Sequence, residues 1–217
     1  MSYSPFIVLY DQLSETLPVF LLFGAIVMPG TELPLNIFEP RYLNMVSDAL
    51  STHRMIGMIQ PDPNTRDATD LCHTGCAGRI TQYRETHDGR IEMVLSGVCR
   101  YDLGEELPTT RGYRLIVPNW SRFSDDYADQ EGQLRGKHDH LIQTLKRYFE
   151  VKGLEADWSM LERLSTVGLM NSLSMALPLS EQDKQVLLET VEPAVRLYAF
   201  TSLLGSELQA PESVTRH

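Results

Sequence analysis

Cysteine is scarce: Cys72, Cys76 and Cys99 are all there is. An odd set of three cannot form a closed disulfide framework, which excludes a small stapled scaffold and fits a reducing compartment. Cations are also in short supply, with 19 Lys and Arg against 29 Asp and Glu and a formal charge of −10. The deficit is spread evenly, since residues 1–120 hold 9 basic and 14 acidic side chains and residues 121–217 hold 10 and 15. Contact with phosphate backbones or anionic bilayers needs a basic face, so neither nucleic acid nor membrane is an expected partner. No low-complexity tract suggests disorder. The longest apolar run, Leu17–Gly30 (LPVFLLFGAIVMPG), is too short to span a bilayer, and Pro18, Gly24 and Pro29 interrupt it. No Lys or Arg precedes Arg41, so the run lacks the positive flank of a signal peptide. It reads as two buried strand-like pieces around a turn, in a cytoplasmic protein.

Catalytic signatures are missing as well. A phosphate-binding loop needs GxxxxGK followed by Ser or Thr, so that backbone N–H groups wrap the phosphate and the lysine reaches it. The nearest stretch, GQLRGKH (Gly132–His138), has the wrong spacing and opens an amphipathic helix. There is no GxGxxG after a strand and no GxSxG elbow. CHTGC (Cys72, His73 and Cys76) offers zinc-type ligands at close spacing, but a closed site needs a fourth ligand, for which Cys99 and His53 are possible donors, and structural zinc sites bring two ligand pairs. The expectation is that Cys76 points into the core while Cys72 and His73 lie on a loop, with no metal and no cofactor. The adjacent carboxylates Glu105–Glu106 and Asp125–Asp126 read as solvated, His138 as a partly buried histidine on an apolar stripe, and Trp120 and Trp158 as packing between lobes.

What is present is a change of period. Up to about residue 120, short apolar runs alternate with turn signals: Leu17–Leu22, Leu33–Ile37, Met55–Gln60, Cys76–Tyr83, Ile91–Val98 and Tyr113–Val117. Asp88-Gly89 predicts a two-residue hairpin turn, and Gly97 a bulge or tight corner. One helix interrupts this lobe, with Pro40 at its first position and Tyr42, Met45, Val46 and Ala49 on its apolar face. From Asp125 onward the spacing is helical. A stripe from Leu134 to Phe149 ends at Gly153, a second stretch runs from Trp158 to Leu169, and Ser180 with Asp183 caps a third. Pro193 begins a last helix to Leu204, apolar on two sides and so expected to be sandwiched. The reading is an α+β chain: a β-rich lobe at 1–120 with a curved, barrel-like sheet, a helical lobe at 121–208 joined through Ser121–Gly132, and a flexible tail at 209–217.

LPVFLLFGAIVMPGTELPLNIFEPRY (Leu17–Tyr42) resembles the opening of the Lon protease N-terminal domain family, and Met45-Val46 fits it too. GCAGRI (Gly75–Ile80), LSGVCRYDL (Leu95–Leu103) and LPLSEQDKQVLLE (Leu177–Glu189) follow in the order that family shows. The resemblance implies a PUA-like β pseudo-barrel followed by a helical bundle, and a role in recruiting polypeptide substrates. Within IFEPRY, Pro40 and Tyr42 are expected to be architectural, Glu39 to meet the N–H groups opening the helix, and Arg41 to pair with a carboxylate or carbonyl across the fold. A full Lon protease also carries an ATPase module with a P-loop and a peptidase domain with a Ser–Lys dyad, and neither motif occurs here.

The expected function is therefore a non-catalytic module that binds an unfolded client polypeptide or a partner protein, as a monomer or small homo-oligomer. Methionine adapts to varied shapes, which makes Met28, Met55, Met58, Met170 and Met175 candidate polypeptide-binding residues. Two alternatives come from other classes: a PUA-like RNA-binding protein, which the acidic balance opposes, and an unrecognised hydrolase using Cys72 or Cys76.

Overall fold

The computed structural model describes residues 8–65 and 70–209. The tail expected at 209–217 lies outside them, except for Gln209 at the end of the last helix. The fold is α+β. The change from strands to helices falls where the period changes, but the compact units divide differently. Met1–Ala128 with Asn171–Glu189 makes one, and Asp129–Met170 with Thr190–His217 the other. Part of the helical region thus belongs with the strands.

The first unit holds a seven-stranded sheet in the order β2-β5-β4-β3-β1-β7-β6. Its strands are β1 (Leu17–Leu21), β2 (Glu32–Ile37), β3 (Met55–Ile59), β4 (Thr74–Glu85), β5 (Ile91–Asp102), β6 (Glu106–Leu107) and β7 (Arg114–Ile116). β1 and β3 run parallel, with Leu21 beside Ile59, and the remaining pairs are antiparallel. β6 is too short to leave a periodic trace in the sequence. Side chains alternate across a strand, and here both faces are buried. Phe20, Ile56, Met58, Cys76, Ile80, Met93 and Leu95 join one core, while Leu17, Val19, Met55, Ile59, Ala77, Tyr101 and Ile116 join another. α1 (Pro40–Leu50) covers the first core with Tyr42, Met45, Val46 and Ala49, the four residues its periodicity selects.

Curvature comes from register shifts between Ala77 and Gly78 and between Ile80 and Gln82, where β4 and β5 slip past each other. Gly97 is held at the first. A Cβ there would stand 2.0 Å from the Met28 carbonyl oxygen, and its N–H donates to Thr31 O at 2.8 Å. The β4–β5 hairpin differs from expectation. Only Gly89 of the Asp88-Gly89 pair has positive φ (+80°), and the Gly89 N–H donates back to Thr86 O at 3.0 Å. His87 and Asp88 therefore form an ordinary turn that Gly89 completes, the three-residue solution to the same closure.

The linker expected at Ser121–Gly132 is not loose. Phe123 is fully buried, and the Asp126 carboxylate, expected to be solvated, is 1% exposed and paired with the equally buried Arg100 at 2.6 Å. Trp120 packs beside Tyr101 within this unit (centroids 5.8 Å apart), not between lobes as expected. α5 (Glu181–Glu189) also belongs here: Leu188 enters the first core and its carbonyl accepts from Arg100 at 3.0 Å. Ser180 caps α5 as expected, accepting from the Asp183 N–H at 3.1 Å.

The second unit contains α2 (His138–Lys152), α3 (Trp158–Leu161) and α6 (Pro193–Gln209). α4 (Thr166–Ala176) begins in it and ends in the first, because the division falls after Met170. The stretch expected to run unbroken from Trp158 to Leu169 is interrupted between α3 and α4. α2 lies against α6 and stops at Gly153, whose φ of 63° closes the helix. Trp158 packs on Phe149 at 5.3 Å. His138 is partly buried beside the Thr166 hydroxyl. α6 is not sandwiched: Leu197, Phe200 and Leu204 are buried, but Val195 and Tyr198 are 56% and 75% exposed. Among the described residues no helix is long and apolar enough to cross a membrane.

Candidate functional site

A concavity of about 820 Å³ opens in the first unit where β1 and β3 end. Leu21, Leu22 and Phe23 leave β1 along one side, and Pro61 follows β3 on the other. Glu39, Arg41 and Tyr42 come from the start of α1, and Glu106 and Arg114 from β6 and β7. Asp70 stands at its rim.

Local chemistry fixes each wall. Pro40 occupies the first helical turn of α1 with Glu39 at the cap position. The Glu39 carboxylate does not cap. It pairs with Arg41 at 2.8 Å, and the Glu39 carbonyl accepts the Tyr42 and Leu43 N–H groups instead. Arg41 is thereby corrected as well, because its carboxylate is two residues away and not across the fold. Its guanidinium lies 4.5 Å over the Tyr42 ring. Tyr42 is 4% exposed, meets Phe20 edge-on at 4.3 Å and donates to Leu21 O at 3.4 Å. Burial pushes its phenol above the usual value. Arg114 holds the Glu106 carboxylate through its Nε at 2.9 Å. Asp48 of α1 binds Arg111 at 3.0 Å and the Tyr113 hydroxyl at 2.9 Å, fastening the helix to the segment before β7.

In this setting Phe23 is conspicuous, being 56% exposed at the mouth of the cleft. The lining is mixed: Leu21, Leu22, Phe23, Tyr42 and Pro61 stand beside charges of both signs, most of them paired as Glu39–Arg41 and Glu106–Arg114. Such a surface can take an apolar side chain and hydrogen-bond the backbone beside it. In the sequence Phe23 sits within an apolar run, and nothing in the spacing separates it from its buried neighbours.

The methionine candidates lie elsewhere. Met28, Met55, Met58 and Met170 are each 1% exposed or less, and they fill core positions that alternation on the strands and helix packing assign to them. Met175 is partly buried, and its sulfur accepts from the Thr31 hydroxyl at 2.8 Å. None of the five lines the cleft. Cys72, His73 and Cys76 are not brought together as ligands. Cys76 is completely buried in the first core, Cys72 is buried beside Pro61 O, and His73 turns outward toward Asp102. Among the described residues no group of three His, Cys, Asp or Glu could hold a metal ion. Desolvation pushes the Cys72 thiol up to about 11 and Cys99 to about 12, and raises Cys76 as well, which leaves little thiolate near neutral pH.

Smaller concavities lie elsewhere among the described residues. One of about 540 Å³ lies along the β4–β5 arm, between Pro34 and Tyr83, with the Arg84–Glu92 pair across it. One of about 180 Å³ in the second unit is lined by Lys137, His140, Leu197 and Tyr198 among others.

The family described as the ATP-dependent protease La (LON) substrate-binding domain matches residues 16–206. A Lon protease from Parabacteroides distasonis is 24% identical over 212 residues, covering 93% of this chain and 25% of the relative. Lon protease 2 of Thermus thermophilus is 25% identical over 221 residues, covering 94% and 26%. The chain thus spans about a quarter of the length of the curated relatives it matches. Among solved structures, the Lon N-terminal domain protein from Xanthomonas campestris superposes with a TM-score of 0.64 at 25% identity, over 86% of this chain and 97% of that one. The N-terminal domain of a Mycobacterium avium complex Lon protease gives 0.67 at 16% identity, over 88% and 98%, a likeness of fold.

Proposed function

This chain belongs to the ATP-dependent protease La (LON) substrate-binding domain family, and from that premise we propose that it is a polypeptide-binding module that acts without chemistry of its own. Its binding surface is the cleft at the ends of β1 and β3, and its ligand is an extended, unfolded segment bearing an apolar side chain. The observation that carries this reading is Phe23, a large aromatic left 56% exposed at the mouth of a cleft of about 820 Å³. Exposed aromatics beside apolar side chains supply much of the energy in protein recognition.

The charged rim supports binding to backbone and polar groups flanking that side chain. Addition of the client as a further strand on β2 is disfavoured, because Pro34 on this edge strand has no N–H to offer. A contact this small gives an affinity on the order of micromolar, which suits a site shared among many clients. The motifs of the sequence point the same way, since it contains neither a phosphate-binding loop nor a nucleophile elbow.

Titration against reduced, carboxymethylated lactalbumin, which stays unfolded, tests the reading beside the native form of the same protein. Binding to the unfolded form alone is expected, weakened about tenfold by Phe23→Ala. Equal binding to both forms, no binding, or an unchanged affinity in the Phe23→Ala variant would each overturn it.

A further inference from the structure

Lys184 has a side chain of a kind that its position does not call for. It lies on α5, is 9% exposed, and burial lowers the affinity of its amine for a proton. A buried ammonium is costly unless it is well partnered, and Met or Leu would fill the same space without that penalty. The hydrogen bond the structure gives it is to the Gly24 carbonyl at 2.9 Å.

Gly24 is the residue after Phe23. It adopts a φ of +67°, a conformation that glycine takes without strain. On the other side of Phe23, the Leu22 N–H donates to Ile59 O at 3.3 Å. Both neighbours of Phe23 are therefore tied down, Leu22 by the sheet and Gly24 by Lys184. The opposite wall depends on the same helix. Gln60, the residue before Pro61, donates to Glu181 O at 3.1 Å and to the Gln185 side chain at 3.0 Å, and Gln185 in turn reaches Thr74 O at 3.0 Å. One turn of α5 thus holds the chain on both sides of the cleft.

We infer that Lys184 is a positioning residue for the cleft: through the Gly24 carbonyl it fixes the backbone that presents Phe23, and so sets the affinity for unfolded polypeptide without touching it. The inference rests on the cleft being the binding surface. Its physical content is preorganisation. A tethered Phe23 has given up its backbone freedom before the client arrives, and an untethered one must give it up on binding.

The test pairs a mobility readout with an affinity. Phe23→Cys provides an attachment point for a nitroxide, because the three native thiols are buried and held in the protonated form. Electron paramagnetic resonance then reports motion at position 23, with and without Lys184→Met. The lysine's removal is expected to sharpen the nitroxide lines. In the otherwise unaltered protein, Lys184→Met is expected to weaken binding of reduced, carboxymethylated lactalbumin roughly fivefold, with no fall in Tm. Lys184→Leu serves with the same expectations if the methionine variant does not fold. An unchanged nitroxide spectrum overturns the role of Lys184 whatever the affinities. Unchanged affinity in Phe23→Ala overturns the cleft reading instead, whatever the nitroxide shows.

Discussion

Arg100 and Asp126 stand inside the first unit with side chains 1% exposed. Two ions withdrawn from water have to be held by each other and by further hydrogen bonds. Here the Arg100 Nε donates to Asp126 at 3.0 Å, its Nη1 donates to Leu188 O at 3.0 Å, and the guanidinium lies 4.5 Å from the centre of the Phe123 ring. Arg100→Ala strands a buried carboxylate. It is expected to lower the unfolding free energy by about 3–5 kcal/mol, visible as an earlier urea midpoint, and a loss no larger than that of an exposed pair would contradict this account. The sequence contained Arg100 at the end of a strand but gave no sign of its partner. Asp126 sits in SRFSDDYADQEG, where six acidic and hydroxyl side chains around it read as a solvated joint. Only the meeting of two distant segments distinguishes it from Asp125. Phe23 was hidden for the reverse reason, being an apolar residue whose exposure depends on where its neighbours end.

At the scale of elements, local rules were legible wherever one face of the element decides its residues. The spacing of Tyr42, Met45, Val46 and Ala49 defined α1, and the apolar runs located six strands to within a few residues of where they lie. β6 and the break between α3 and α4 were not legible, since a two-residue strand has no period and α4, with Thr166, Asn171, Ser172 and Ser174 among its apolar residues, has no clear apolar stripe. Gly97 was legible as a special position but not the cause. The backbone of Met28 passes so close that no side chain fits. Gly97→Ala should therefore push apart β5 and the turn before β2, at a cost of about 3 kcal/mol. The check is thermal unfolding beside Gly30→Ala, where no neighbour lies within 4 Å of an added Cβ and only the +75° φ is strained. The Gly97 variant should be the less stable of the two.

Over the whole molecule, the charge of −10 is carried evenly along the chain, with an isoelectric point near 5.0. Binding of structured RNA should accordingly be undetectable in a mobility shift at low salt, and a shift that vanished as salt rose would favour the RNA-binding alternative. The two compact units have a different bearing. The strands and α1 lie before residue 129, yet the unit they belong to also needs residues 171–189, which supply Leu188 to the core, its carbonyl to Arg100, and Lys184 and Gln185 to the cleft. During synthesis a ribosome must therefore add more than forty residues of the other unit before the sheet receives its last helix. Until α5 emerges, Arg100 lacks one of its acceptors and Gly24 its tether. A nascent chain interrupted in that interval would carry an unfinished sheet, and the proposed cleft would be complete only late in translation.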